Sequence, residues 1–371
     1  MSCGQASTAE ELRAAVEFYL PEYRGSAEEL RFQRLSGGMN NATYRVQAPD
    51  SEAPGYILRI YQGHQDRAKV NFEHAVLTGL QSKMLSFAVP SPLRGTGDRP
   101  YYIHEDGRIF VMFPYLAGRN PVWQSEEQLY QLGLTAGELS QALQSLDIPL
   151  QPLYPPYYAL DTAYPLCPPE RLQQFLNQPE TGFESCTAVM KELGVKLPVW
   201  LSWLKTLERL PHQLVHGDLN ASNVLTSDKR ISDTYASGDP TSVKKVSQND
   251  NRKGDTDVFI TAVLDFEFAT EDLRVMELIV PLSDLLGMKV GEQEVKQWME
   301  ALIRGFTSRV ELTAKELEAV PQLLILRGLD VVMHFLSRYW EGIDSAEVVI
   351  GQMEELYRKS KWLDRQTALD S

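Results

Sequence analysis

The stretch Leu214-Val215-His216-Gly217-Asp218-Leu219-Asn220-Ala221-Ser222-Asn223-Val224-Leu225 sets an imidazole, a carboxylate and two amides between two apolar pairs. Apolar ends anchor in a core while the polar middle stays near the surface, which is how a rigid scaffold presents a catalytic loop. The pattern His-x-Asp-x4-Asn has a chemical reading: Asp218 accepts the proton of an attacking hydroxyl, and Asn223 reaches a magnesium ion on nucleotide phosphates. An Asn/Gly/Asp-rich turn between two buried strands would use the same residues, so the loop alone leaves both readings open.

Downstream, Val258-Phe259-Ile260-Thr261-Ala262-Val263-Leu264-Asp265-Phe266-Glu267 is a β-branched, apolar run that reads as a buried strand. It delivers Asp265 at its end, where a second oxygen ligand can join Asn223 on a hard cation. His-Gly-Asp-x4-Asn followed by strand-Asp-Phe resembles the aminoglycoside phosphotransferase and choline kinase family, whose fold is similar to that of protein kinases. The resemblance runs from about residue 30 to residue 340. It implies an α+β, bilobal protein-kinase-like fold, with a small lobe (1–114) built on an antiparallel sheet and a larger, mostly helical lobe (115–371). It also implies ATP and Mg2+ as cofactors and a small-molecule alcohol as acceptor.

The order of elements agrees with that resemblance. A Thr8-x-x-Glu11 capping pattern opens an amphipathic helix with Leu12, Ala15, Val16, Tyr19 and Leu20 as its apolar set. Two alternating runs then flank Ser36-Gly37-Gly38-Met39-Asn40-Asn41, a glycine hairpin. By the resemblance, Ser36, Gly37, Gly38, Asn40 and Asn41 cover the nucleotide phosphates with backbone amides. In Tyr56-Ile57-Leu58-Arg59-Ile60-Tyr61 a single cation sits in an apolar strand. The family more commonly has Lys there, and Arg59 keeps the charge with a different reach and geometry. Glu73, in the following helix, matches the carboxylate that holds this cation. An edge-strand arginine facing water and a solvated helix glutamate are the plainer alternatives. The apolar strand ending in Phe113-Pro114-Tyr115 breaks into a Pro/Gly segment, the expected lobe boundary, and Phe113 and Tyr115 there are candidates for nucleotide contact.

Beyond residue 125 the spacing predicts helices over 126–146, 170–176, 183–193 and 198–210, with a Pro/Tyr-rich connector at 154–165 that either walls a small-molecule pocket or simply packs on helices. Residues 226–257, polar and charged, read as a surface excursion between strands. Glu277 stands where the family tends to have an Asp supporting the catalytic loop. The Asp-Phe pair is completed by Glu267 rather than Gly, and no Ala-Pro-Glu follows. The peptide platform of protein kinases is therefore not expected, and a small acceptor is. In the late helix 321–340, Arg327, Asp330, His334 and Arg338 form a polar stripe on an otherwise apolar cylinder. This stripe is either the wet side of the helix or the lining of a polar cleft. Leu326-Arg327-Gly328 and Phe335-Leu336-Ser337-Arg338, with Asp265-Phe266-Glu267-Phe268-Ala269, resemble the second type of bacterial homoserine kinase. Homoserine, or a related amino or sugar alcohol, becomes the acceptor to test, with Glu267 and Arg338 as acceptor-side residues. An aminoglycoside, sugar or choline-like acceptor is an alternative, and a catalytically silent nucleotide-binding module is a rival of another class.

Composition sets the limits. A formal charge of −14 with 43% hydrophobic and 23% charged residues lacks the basic footprint that nucleic acid or an anionic membrane requires. The acidic balance favours either solubility alone or a cationic substrate. Three cysteines, Cys3, Cys167 and Cys186, have neither disulfide nor zinc spacing. With no leader pattern at the start, a cytoplasmic protein is expected.

Overall fold

A computed structural model describes residues 7–23, 30–35, 41–48, 55–62, 64–228, 258–288 and 290–369. The chain divides into two compact units. Unit 1 is Met1–Trp123, Leu146–Gln151 and Ala221–Glu267; unit 2 is Gln124–Ser145, Pro152–Asn220 and Phe268–Ser371. The boundary expected after Pro114 thus falls inside the first segment of unit 1, and two later segments belong to that unit as well.

Unit 1 opens with α1 (Ala9–Tyr19), whose start is fixed by the expected capping box: the Glu11 amide donates to the Thr8 hydroxyl at 3.2 Å and the Thr8 amide to the Glu11 carboxylate at 3.0 Å. Strands β1 (Arg31–Arg34), β2 (Asn41–Gln47), β3 (Tyr56–Tyr61), β4 (Tyr102–Ile103) and β5 (Ile109–Pro114), with α2 (Arg67–Gln81) between β3 and β4, form an antiparallel sheet in the order β1-β2-β3-β5-β4. Leu12, Val16 and Tyr19 of α1 bury against Tyr44, Leu58, Ile60, Phe110 and Met112 of the sheet. Because side chains alternate along a strand, residues 57, 59 and 61 of β3 point the other way from Leu58 and Ile60. That parity sends Arg59 and Tyr61 toward the α2 side. The unit is completed by β7 (Val224–Ser227) and β8 (Phe259–Val263), an antiparallel pair.

Unit 2 is mostly helical: α3 (Glu126–Gln144), α4 (Leu160–Ala163), α5 (Pro169–Asn177), α6 (Thr187–Ser202), α7 (Leu204–Leu207), α8 (Met276–Leu286), α9 (Glu292–Thr307), α10 (Ala314–Glu318), α11 (Val320–Trp340) and α12 (Ala346–Leu369). A short antiparallel pair, β6 (His212–Val215) with β9 (Thr270–Leu273), lies among them. The sequence reading placed a helix boundary at Pro198, but α6 runs through it. The carbonyl of Gly194, four residues back, has no proline N–H to accept, and the side-chain amide of Gln173 donates to it at 3.1 Å instead. The expected 183–193 and 198–210 helices are therefore one helix and a short successor. α11 is long and apolar enough to cross a membrane, yet 61% of that window is buried inside the protein. Leu323, Leu324, Leu329, Val332, Met333 and Leu336 make it a core helix.

The strands flanking the His216–Asn223 loop do not pair with each other. β6 joins β9 in unit 2 and β7 joins β8 in unit 1. The loop thus passes from one unit into the other between Asn220 and Ala221.

Candidate active site

The unit 2 half of the loop is held from several sides. Gly217 has φ +82, and a Cβ there would meet the Phe268 carbonyl oxygen at 2.4 Å, so only glycine can occupy the position. The His216 amide donates to the buried carboxylate of Glu277 on α8, while His216 Nδ1 accepts from the Asp218 amide at 3.1 Å. With Nδ1 as an acceptor and the ring fully buried, His216 acts as a strut. Burial, opposed only in part by the His216 amide, pushes Glu277 up to about 8. Its Oε2 has no hydrogen-bond partner among the described residues.

Asp218 is met by a guanidinium. Arg327 Nη2 of α11 donates to Asp218 Oδ1 at 2.8 Å, and Arg327 Nη1 donates to Asp330 Oδ2 at 2.9 Å. Tyr164 Oη donates to Asp330 Oδ1 at 2.5 Å. The Tyr157 ring lies 5.3 Å from the guanidinium, and its hydroxyl donates to the Gly217 carbonyl. Tyr157 N also donates to Asp272 Oδ2 of β9 at 2.7 Å. Burial opposes the charge of Arg327, but Tyr157, Asp218 and Asp330 outweigh it and hold the group well above its ordinary range. Asp272, driven by burial against two backbone hydrogen bonds, rises to about 7.

The unit 1 half of the loop ends in a one-turn helix, Ala221–Asn223. Asn120 Nδ2 reaches the carbonyls of Ala221, Ser222 and Val224 at 3.3, 2.7 and 3.1 Å. The Leu264 amide donates to the Asn223 carbonyl at 2.8 Å, which sets Asn223 beside the strand end that carries Asp265. Asp265 adopts φ +64, a left-handed conformation that is uncommon outside glycine and recurs where side chains are aimed for function.

Parity in β3 now matters. Arg59 Nη1 lies 3.0 Å from both Glu73 Oε1 and Asp265 Oδ1, and Tyr61 Oη donates to Glu73 Oε2 at 2.5 Å. Burial opposes the Arg59 charge, but Asp265 and Glu73 more than offset it, so the guanidinium stays charged. Asn41 Nδ2 donates to Glu267 Oε2 at 2.5 Å, while Asn41 Oδ1 has no partner among the described residues. Burial first, then repulsion from Asp265 and Glu73, raises Glu267 to about 7. The guanidinium of Arg59 is 5.5 Å from the Phe113 ring, and that of Arg45 is 4.1 Å from Tyr115. Asn223 and Asp265 together offer an amide oxygen and a carboxylate, the hard donors a magnesium or calcium ion takes.

Of the residues singled out in the sequence, unit 1 therefore gathers Asn41, Arg59, Glu73, Asp265 and Glu267 into one network, with Phe113 packed on its arginine. Ser36, Gly37, Gly38 and Asn40 lie outside the described residues, as does most of 226–257. Arg338 turns to Asp344, with Nε–Oδ2 at 2.5 Å and Nη2–Oδ1 at 3.3 Å. Sequence reasoning did not single out Arg327, Asp330, Tyr157, Tyr164 or Asn120 as site residues. The polar stripe of α11 was the available signal for the first two. Their side chains are 17% and 11% exposed, so this part of the stripe is not a wet face.

The phosphotransferase enzyme family (APH) model matches residues 31–232, more than half of the chain. No curated protein sequence matches the chain. Among solved structures, a microcompartment-associated aminopropanol kinase is similar at 17% identity, covering 98% of each chain with a TM-score of 0.65. An amicoumacin kinase in complex with AMP-PNP, Ca2+ and Ami is 16% identical over 97% of each chain, TM-score 0.59. Plasmodium vivax ethanolamine kinase is 14% identical over 95% of this chain and 87% of its own, TM-score 0.56. At such identities the likeness speaks for the fold, and the α+β, protein-kinase-like class expected from the sequence is the one found.

Proposed function

Because this chain belongs to the phosphotransferase enzyme family, we propose that it transfers the γ-phosphoryl group of magnesium-bound ATP to the hydroxyl of a small amino alcohol. It is an ATP-dependent phosphotransferase with an alcohol as acceptor. In the proposed roles, Arg59, kept in place by Glu73, binds the donor's phosphates, and the loop over residues 36–41 covers them. Asn223 and Asp265 hold the divalent ion, which when bound neutralises phosphate charge. Asp218 takes the proton of the acceptor hydroxyl as its oxygen bonds to the γ-phosphorus. The bond from that phosphorus to the bridging oxygen breaks, and ADP leaves with the electron pair. Little covalent work falls to the protein, because such transfers proceed through a loose transition state governed by position and charge. A cytoplasmic location, where ATP is abundant, goes with this reading.

One observation carries the acceptor class. Asp218 and Asp330 share one guanidinium, that of Arg327, beside the Tyr157 ring, so one carboxylate charge is left over, and an ammonium on the acceptor complements it. The aminopropanol and ethanolamine kinases among the similar structures act on acceptors of this kind by name. Homoserine belongs to the class through its amine. Its carboxylate would need a cation, and the one matched by resemblance, Arg338, is engaged by Asp344. ATP turnover with aminopropanol, ethanolamine, choline, homoserine, an aminoglycoside and the amine-free 1,2-propanediol tests the proposal. Amine-bearing acceptors should show the lower KM. Equal turnover with the diol would sink the ammonium assignment, and a clear preference for homoserine over ethanolamine would restore the carboxylate reading.

A further inference from the structure

We infer that Arg327 is a positioning residue that aims the carboxylate of Asp218 at the acceptor hydroxyl; this rests on the reading of Asp218 as the proton acceptor. The two Nη atoms of Arg327 are committed to two different carboxylates, Asp218 at 2.8 Å and Asp330 at 2.9 Å. A guanidinium is planar and rigid, so fixing one nitrogen fixes where the other lies. Asp330 is itself fixed, since Tyr164 Oη holds its second oxygen at 2.5 Å. The Tyr157 ring sits 5.3 Å from the guanidinium, and the same residue's hydroxyl holds the Gly217 carbonyl, next in the chain to Asp218. The chain Tyr164, Asp330, Arg327, Asp218 therefore transmits the rigidity of α11 to one oxygen of a loop carboxylate. An aspartate on a loop would otherwise exchange rotamers and meet the acceptor hydroxyl only part of the time.

A cation on a general base has a cost, because it makes the base weaker. In a loose phosphoryl-transfer transition state little proton has moved, so basicity counts for less than placement. Misplacing a reacting group by about 1 Å can cost on the order of 10²-fold in rate. Arg327 trades the smaller quantity for the larger. The sequence gives no local sign of this, because Arg327 and Asp218 are 109 residues apart.

The test measures kcat and both KM values, with the best acceptor of the panel, for R327M, R327K, D218N and D218N/R327M. R327M should lower kcat on the order of 10²-fold with the KM for ATP unchanged. R327K keeps the charge without the fork and should recover part of that loss, about tenfold. In the D218N background R327M should add nothing, since it acts through the group already removed. Wild-type kcat in R327M overturns the inference, as does a full additional loss in the double variant. If R327M does not fold, R327K decides: a fall in kcat at unchanged ATP KM supports aiming, and wild-type kcat overturns it. Wild-type turnover in D218N would overturn the base assignment itself, whereas a slow D218N beside a fast R327M removes only the aiming role.

Discussion

Arg59 in unit 1 and Arg327 in unit 2 each lie between two carboxylates, and the two settings differ in what else is charged. Arg59 shares a single Nη between Glu73 and Asp265 at 3.0 Å each, with Glu267 pushed up to about 7 close by. Arg327 spends one Nη on each of Asp218 and Asp330 and stands on a tyrosine ring. In unit 1 the partner is the strand-end aspartate that, with Asn223, has the oxygen donors for a metal ion, so negative charge is left over at the place where a divalent cation would add positive charge. In unit 2 the carboxylate left over beside Arg327 has no such donor pair among the described residues, and by the proposed function an organic cation complements it. Under the proposed function the two similar ion pairs serve different partners, one inorganic and one organic. Neither pair is an argument for stability, since buried ion pairs roughly repay their own desolvation.

The sharpest way to break this contrast is Asp218→Asn. It removes the proton acceptor but leaves unit 1 intact, so transfer should fall by roughly 10²- to 10⁴-fold while ATP affinity measured by calorimetry stays put. Parallel loss of ATP binding would mean that the two settings are not separable in function.

The converse variant is Asp265→Ala, which takes away the proposed metal ligand and one partner of Arg59. Magnesium-dependent ATP affinity should drop by at least the roughly 10- to 100-fold that loss of an outer-shell partner costs a metal site, and Asn223→Ala should follow the same direction. The acceptor's KM should hold. Unchanged nucleotide affinity at saturating magnesium in both variants would remove the clamp.

How much of this was legible beforehand follows the same division. Asp218 and Asn223 can be named because the His-x-Asp-x4-Asn spacing lies within one loop, and Asp265 because it ends an apolar strand that the resemblance joins to that loop. Arg59 and Glu73 are named by the resemblance, with a water-facing arginine and a solvated glutamate as the plainer readings, and the structure pairs them at 3.0 Å because strand parity turns Arg59 toward α2. The unit 2 setting is not legible in the same way. Tyr157, Asp218 and Arg327 come from three elements, and the stripe on α11 says which residues share a face without saying what packs on it. For that reason the resemblance selects Arg338 where the fold presents Arg327, 11 residues earlier on the same helix and pointing at the loop. Pro198 was misread as a boundary for a related cause: a proline breaks a helix only where the orphaned carbonyl finds no other donor, and Gln173 is a tertiary donor.

A smaller effect probes the strut under the unit 2 half of the loop, Glu277 with His216. Glu277 is raised to about 8 by burial. For a carboxyl whose folded value lies above its unfolded one, stability is full below the unfolded value, near the ordinary 4.5, and is lost as pH rises through the folded value. Wild-type stability in urea should therefore decline between about pH 5 and pH 8. Glu277→Gln keeps an oxygen for the His216 amide and cannot ionise, so its profile over that window should be flatter. Identical profiles would mean that Glu277 keeps its charge without penalty.

The smallest expected effect on turnover belongs to Arg338. Its fork meets Asp344 just past the end of α11, and its own carbonyl accepts the amides of Ile343 and Asp344 at 2.9 and 3.4 Å. Both features close the turn that follows the helix, a local structural task. Removing the side chain leaves the backbone bonds in place but strips the partner from Asp344 in a pair whose side chains are 15% and 14% exposed, and breaking a mostly buried pair costs on the order of 3 kcal/mol. A loss of that size lowers Tm by several degrees. Arg338→Ala should therefore cost stability while leaving the acceptor's KM unchanged. The comparison with R327M is what gives the number meaning, since both variants delete an arginine from one helix and only one of them touches the loop. If Arg338→Ala instead raises the acceptor's KM with Tm unchanged, Asp344 is a partner that the acceptor displaces, the acceptor carries a carboxylate, and the organic cation proposed for unit 2 is at most half of what the site reads.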